Sequence, residues 1–200
     1  MRENRRRGER RERIVNAAIK LFADADYAQV SMDDIASAAG VAKGTLYNYF
    51  RSKEELYVEV IRYRFESLVE LLGRAFDARN QPWTDLRSFV LHYEAFMHKH
   101  PHFFKLLRRA RTEPGFADEF SGLERKVVEL LASVLKRGMR AGEFRNGSAE
   151  FYARLILGMV EREVDYRLGK RNRARKTDDI VNFIRMGLCR DGVDVERKDA

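Results

Sequence analysis

Residues 41–57 read VAKGTLYNYFRSKEELY and set hydrogen-bonding side chains beside two apolar anchors. At about 100° per residue on a helix, Leu46 and Phe50 lie within about 40° of each other and face inward. Gly44, Thr45, Asn48 and Tyr49 then point away, with Tyr47 at the margin and Lys43 close by. An asparagine amide can pair with adenine in a major groove. Hydroxyls and ammonium groups bond phosphates, and tyrosine rings meet thymine methyls. The pattern is that of a surface for duplex DNA. Catalytic patterns are missing: the chain has no Gly-x-Ser-x-Gly, no phosphate-binding loop and no paired carboxylates that stand out from helix surfaces. Its one cysteine, Cys189, has no neighbouring histidine. A non-enzyme without a cofactor is expected. His92, His98, His100 and His102, in HYEAFMHKHPHFF, could ligate zinc or nickel, which makes a metal-responsive regulator an alternative. No cysteine or carboxylate completes a ligand set there, so the segment reads as a polar turn between helices.

The elements that must hold this surface follow from apolar periodicity. Ile14, Ala17, Ala18, Leu21 and Phe22 form the stripe of a first helix, and residues 24–30 read as a loop. Ser31, with Asp34 three residues on, caps a second helix whose inner face is Ile35, Ala38 and Ala39. Gly40 ends it as a left-handed residue, and the third helix runs from Lys43 to Phe50. Ala36, Gly40 and Leu46 have helix-turn-helix spacing: a small residue for close approach, a glycine for the turn, and a plug at the crossing. Ser52 starts a long fourth helix that keeps its spacing from Leu56 to Phe76. Further helices are expected over 83–98, from Pro101, over 116–139 after the Pro114-Gly115 break, over 148–168, and from Thr177 to Leu188.

MDDIASAAGVAKGTLYNYFRSKEELY, residues 32–57, resembles the DNA-binding signature of the TetR family of bacterial transcriptional regulators. The likeness covers residues 10–57 closely; beyond them it rests on helix number and length and on FIRMGL at 183–188. The resemblance implies an all-α protein of about nine helices. Residues 1–51 would be a three-helix DNA-binding domain with a basic N-terminal arm. Residues 52–200 would be a helical ligand-binding and dimerisation domain. By position, Ser31, Tyr47 and Tyr49 resemble phosphate contacts. Lys43, Gly44, Thr45 and Asn48 resemble the groove-facing set, and Lys53 resembles a lysine that grips a phosphate. Met32 stands where a polar residue is common.

Composition agrees with a soluble regulator. The 200 residues are 44% hydrophobic and 35% charged, which excludes a disordered chain. No apolar run approaches the roughly 18–20 residues of a membrane span, so no membrane partner is expected. A lone cysteine suits a reducing cytoplasm. The net charge is +8, concentrated at residues 2–13, with seven arginines against three glutamates, and at 167–176, with six Lys or Arg and no acid. Such blocks attract phosphate or anionic lipid, and the second reads as a solvated surface. Phe65, Leu68, Phe89, Tyr93, Phe96, Phe103, Phe104 and Phe120 are core residues that could also line an apolar pocket for a small effector. Phe151, Leu155, Met159, Ile180, Ile184 and Leu188 recur at helical spacing on the terminal helices and are expected to close a homodimer. The expected function is a repressor that binds a pseudo-palindromic operator as a dimer and is released by an apolar or amphipathic effector. A DNA-binding protein without an effector is the other alternative.

Overall fold

The computed structural model describes residues 2–112, 116–168 and 177–189. Among these are nine α-helices: α1 (Arg2–Asp24), α2 (Met32–Ala39), α3 (Lys43–Tyr47), α4 (Lys53–Ala75), α5 (Pro82–Lys99), α6 (Pro101–Ala110), α7 (Ala117–Arg140), α8 (Ala149–Leu168) and α9 (Thr177–Leu188). One turn of 3-10 helix, Tyr27–Gln29, follows α1. The fold is all-α, as the periodicity predicts. The Pro114-Gly115 break and residues 169–176 of the second basic block lie outside the described residues.

Packing divides the chain into two compact units. One comprises Met1–Glu66 and His100–Leu123, the other Ser67–Lys99 and Glu124–Ala200. The boundary expected at 51/52 falls inside the first unit, which also takes in the first part of α4, all of α6 and the start of α7.

In the first unit α1 packs on α2 and α6 and buries Ile14, Val15, Ala18, Ile19, Phe22 and Ala23. Its start differs from expectation. The basic segment is part of the helix rather than a separate arm, since arginine and glutamate are good helix formers. Arg5 and Glu9, one turn apart, are paired at 3.0 Å. The inner face of α2 is Met32, Ile35, Ala36 and Ala39, while Ala38 is exposed. With Met32 inside, the buried arc runs from Ile35 to Ala36, and Ala38 falls about 60° outside it. The rings of Phe22, Tyr27 and Phe116 surround Tyr57 at 4.9, 4.9 and 4.6 Å between centroids. Asp24 accepts from Lys105 at 2.9 Å and Asp26 from Arg109 at 3.1 Å, which ties the end of α1 to α6.

In the second unit α5 packs on α8 and α9, and α8 on α9. Gly138 permits one close approach: a Cβ there would stand 2.1 Å from the fully buried Phe144 ring. Asp85 has no exposed surface. Its carboxylate accepts from the Asn80 side-chain amide at 2.9 Å and pairs with the Arg137 guanidinium, which also donates to the Asp77 carbonyl at 3.1 Å. A charge at such depth persists only when paired. This knot fastens the α4–α5 connection to α7. At the end of α8, buried Arg167 pairs with Glu163 at 2.6 Å and Glu94 at 3.7 Å.

Candidate nucleic-acid interface

The surface begins with the turn between α2 and α3. Ser31 and Asp34 form a reciprocal cap: the Asp34 N–H donates to the Ser31 hydroxyl at 3.1 Å, and the Ser31 N–H to the Asp34 carboxylate at 3.1 Å. The carboxylate also accepts from the Ser31 hydroxyl, and that bond, with the one from the Ser31 N–H, holds the Asp34 pKa below its ordinary value. Gly40 is left-handed, with φ of 64°, and the Val41 N–H returns to the Ala36 carbonyl at 3.0 Å. A side chain at that φ would be strained, so glycine sets the angle at which α3 leaves.

Leu46 and Phe50 are 0% and 2% exposed and face inward as expected, anchoring α3 and the turn after it. The helix is shorter than the predicted Lys43–Phe50, ending at Tyr47 with Asn48 as its C-cap. Asn48 and the aromatic pair after it are weak helix formers, and the chain closes instead through the Tyr49 N–H to the Leu46 carbonyl at 3.0 Å. Lys43, Gly44, Tyr47 and Asn48 are exposed, while Thr45 and Tyr49 are half-buried. The Thr45 hydroxyl and Asn48 amide have no hydrogen-bond partner among the described residues.

Several expected contacts are engaged within the protein. The Lys43 ammonium sits 2.8 Å from Asp33, whose hydrogen bond pushes its pKa up. The Ser31 hydroxyl donates to Asp34 at 2.5 Å, so it reaches a phosphate only by leaving the cap. The Tyr49 hydroxyl donates to the Arg7 carbonyl at 3.4 Å. Lys53 occupies the first turn of α4, where a cation opposes the helix dipole. Its ammonium donates to the Tyr27 carbonyl at 3.1 Å and lies 4.3 Å from the Tyr27 ring centroid, which offsets that cost. Ser52 caps the same helix, accepting from the Glu55 N–H at 3.1 Å.

Periodicity alone missed Arg7 and Arg11, which continue the stripe of Ile14 and Ala18 back by one and two turns. The Arg7 guanidinium lies 6.0 Å from the Tyr49 ring centroid. That of Arg11 lies 5.8 Å from Phe50 and 5.4 Å from Tyr63, and pairs with Glu59 at 2.5 Å. Their spacing, i and i+4 ahead of an apolar stripe, is the signal that could have found them.

The remaining candidates separate by unit. Phe65, Phe103, Phe104 and Phe120 are buried in the first, with Phe65 at 5.9 Å from Phe103 and 5.8 Å from Phe120. Leu68, Phe89, Tyr93 and Phe96 are buried in the second, where the Tyr93 hydroxyl donates to Glu161 at 2.8 Å. On α8 and α9, Phe151 and Leu155 are exposed and Met159 and Ile180 half-exposed, whereas Ile184 and Leu188 are buried within the chain itself. Phe183 and Met186 are the exposed apolar residues of α9, at 62% and 73%. Leu155, Gly158, Met159, Ile180 and Phe183 line an open groove of about 640 Å³. His92 and His98 each turn Nδ1 to the carbonyl four residues back, at 2.8 and 2.7 Å. Among the described residues no three His, Cys, Asp or Glu are grouped to hold a metal ion. No helix among them is long and apolar enough to cross a membrane.

Comparison with known proteins agrees with this geometry. Residues 14–60 match the family model of bacterial regulatory proteins of the tetR family, and residues 80–163 match that of the tetracyclin repressor-like C-terminal domain. The HTH-type transcriptional repressor KstR of Mycolicibacterium smegmatis is 34% identical over 68% of this chain, which spans 65% of that protein's length. A proposed fatty acid metabolism regulator from Clostridium perfringens has a similar structure, with a TM-score of 0.75 and 26% identity over 87% of this chain and 95% of its own. FadR of Bacillus subtilis, solved with stearoyl-CoA, reaches a TM-score of 0.80 over 88% of this chain and 98% of its own; at 18% identity it speaks to the fold alone. With both halves of the chain matched by one family around a capped helix-turn-helix, this protein belongs to the TetR family of bacterial transcriptional regulators, which are not enzymes.

Proposed function

We propose that this protein is a repressor that binds a pseudo-palindromic operator in duplex DNA as a homodimer and is released by a small apolar or amphipathic effector. The observation that carries the reading is the face of α3: Thr45 and Asn48 have uncommitted hydrogen-bonding groups above two fully packed anchors, Leu46 and Phe50. With the backbone already held by these anchors, reading base edges costs only the ordering of the two side chains. Lys43, Gly44, Tyr47 and Tyr49 flank them, with Ser31 and Lys53 placed for the phosphates. The exposed apolar residues of α8 and α9 are the proposed dimer face, since large apolar side chains left in water ask for a cover. The effector reading rests on the buried aromatics of the two units and on a relative described as a regulator of fatty acid metabolism.

Selection of bound sequences from random duplex DNA tests the first part. A palindromic consensus with half-sites about one helical turn apart, roughly 34–36 Å, is expected. Recovery of no consensus sinks the repressor reading. Release of the selected duplex by fatty acids or their thioesters tests the effector. A 100-fold weakening requires about 2.7 kcal/mol of coupling.

A further inference from the structure

The operator reading gives no work to the arginine-rich start of α1. Residues 5–13 hold Arg5, Arg6, Arg7, Arg10, Arg11 and Arg13, and the helix sorts them by face. Arg7 and Arg11 turn to the buried side, over Tyr49 and Phe50, and Arg5 is paired with Glu9. Arg6, Arg10 and Arg13 are exposed and have no ion-pair or hydrogen-bond partner among the described residues. At about 100° per residue they fall within an arc of about 60°, and exposed Lys20 widens it only to about 80°. Glu9 and Glu12 lie outside that arc, and Asp24, which falls within it, comes one turn beyond Lys20, so the strip from Arg6 to Lys20 is cationic only.

We propose that this strip is a second DNA contact, independent of sequence, in which α1 lies as a preformed rail against phosphates beyond those reached by the recognition segment. The proposal rests on the operator reading above and extends its footprint. The three residues rise by about 6 and 4.5 Å along the helix axis. A DNA strand carries a charge about every 3.4 Å of its axis, so long flexible side chains can each find one. The Tyr49 hydroxyl on the Arg7 carbonyl sets this part of α1 beside the recognition segment. Because the segment is already helical and held by Arg7 and Arg11, binding orders few backbone dihedrals. An anionic membrane satisfies the charge but not the shape, since an interfacial helix needs a free apolar face. Here that face, Ile14, Val15, Ala18 and Phe22, is buried in the core.

The experiment compares the wild-type full chain with R6Q/R10Q/R13Q and R6K/R10K/R13K, using a 40-base-pair random-sequence duplex and the selected operator across a salt series. Glutamine keeps the helix propensity, and identical far-ultraviolet circular dichroism confirms the fold. The glutamine variant is expected to lose up to about 2.7 units of the slope of log K against log salt for each bound protomer, about 5.4 for the proposed homodimer, equally on both duplexes, with lysine restoring it. An unchanged slope overturns the proposal, and so does a loss confined to the operator. Strip-dependent binding to phosphatidylglycerol vesicles without a change on DNA also overturns it, in favour of a membrane. If the wild type does not prefer the selected operator, the operator reading fails by itself while the slope on random DNA still tests the strip.

Discussion

The outward faces of α3 and of α8 with α9 are both uncovered, and they are built by opposite rules. On α3 the apolar residues are spent inward and what remains outside is hydroxyl, amide and ammonium. On α8 and α9 the inward side is already apolar, with Ile156, Val160, Val164, Val181, Ile184 and Leu188 buried, yet Phe151, Leu155, Phe183 and Met186 remain outside. A polar face is stable in water without its partner, whereas an exposed apolar face carries a standing cost. The two partners should therefore differ in permanence. A second copy is expected to stay, and DNA to come and go with salt and effector.

The largest effect should come from breaking the apolar face. L155E/F183E places charges on the proposed dimer face, and dimer dissociation should rise on the order of 10,000-fold, about 5.5 kcal/mol. Sedimentation at micromolar concentration should change from dimer to monomer; a wild type that already sediments as a monomer ends the comparison. Next is the scaffold of the unit that carries this face. Asp85→Ala leaves Arg137 without its carboxylate and should cost about 3–5 kcal/mol in urea unfolding. Asp33→Ala, which frees the exposed Lys43, should leave the urea midpoint unchanged. Asn48→Ala should relax preference at particular base pairs by about 1–3 kcal/mol, read as the operator-to-random affinity ratio. An equal loss on both duplexes would put Asn48 on the phosphates instead.

The smallest effect is a pH dependence beneath α3. The folded pKa of Asp34 is depressed, so its cap stabilises fully above the unfolded value near about 3.9 and is lost as pH falls through the folded value. The urea midpoints of wild type and Asp34→Asn should differ by a constant amount above about pH 5 and converge below about pH 4. A difference that grows on acidification reverses the sign and removes the cap from the account.

Much of this was legible because local rules leave local marks. The stripe from Ile14 to Phe22, the Ser31–Asp34 cap, the glycine at 40 and the inward pair Leu46 and Phe50 are each written within a few residues. The end of α3 was not, because it depends on whether Asn48 or Tyr49 gains more by leaving the helix. Periodicity also could not choose a face for α9. With Ile180, Val181, Phe183, Ile184, Met186 and Leu188 spread around the helix, either side can be core. Asp85 and Arg137 are 52 positions apart, and nothing near either residue announces the other. Arg7 and Arg11 were masked by their charge, since a guanidinium lying on an aromatic ring reads in sequence as one more solvated cation.

The Asp85–Arg137 knot has a consequence for descent. Exchanging Arg137 alone leaves the fully buried Asp85 carboxylate without its cation, exchanging Asp85 alone leaves a guanidinium that is only 26% exposed, and a deficit of about 3–5 kcal/mol is a large part of a typical folding margin of about 5–15 kcal/mol. A well-packed apolar pair in the same space could be as stable, yet a lineage reaches it only by crossing an intermediate close to unfolding. The two positions should therefore be inherited as a unit, keeping the pair long after the ancestor in which it first arose.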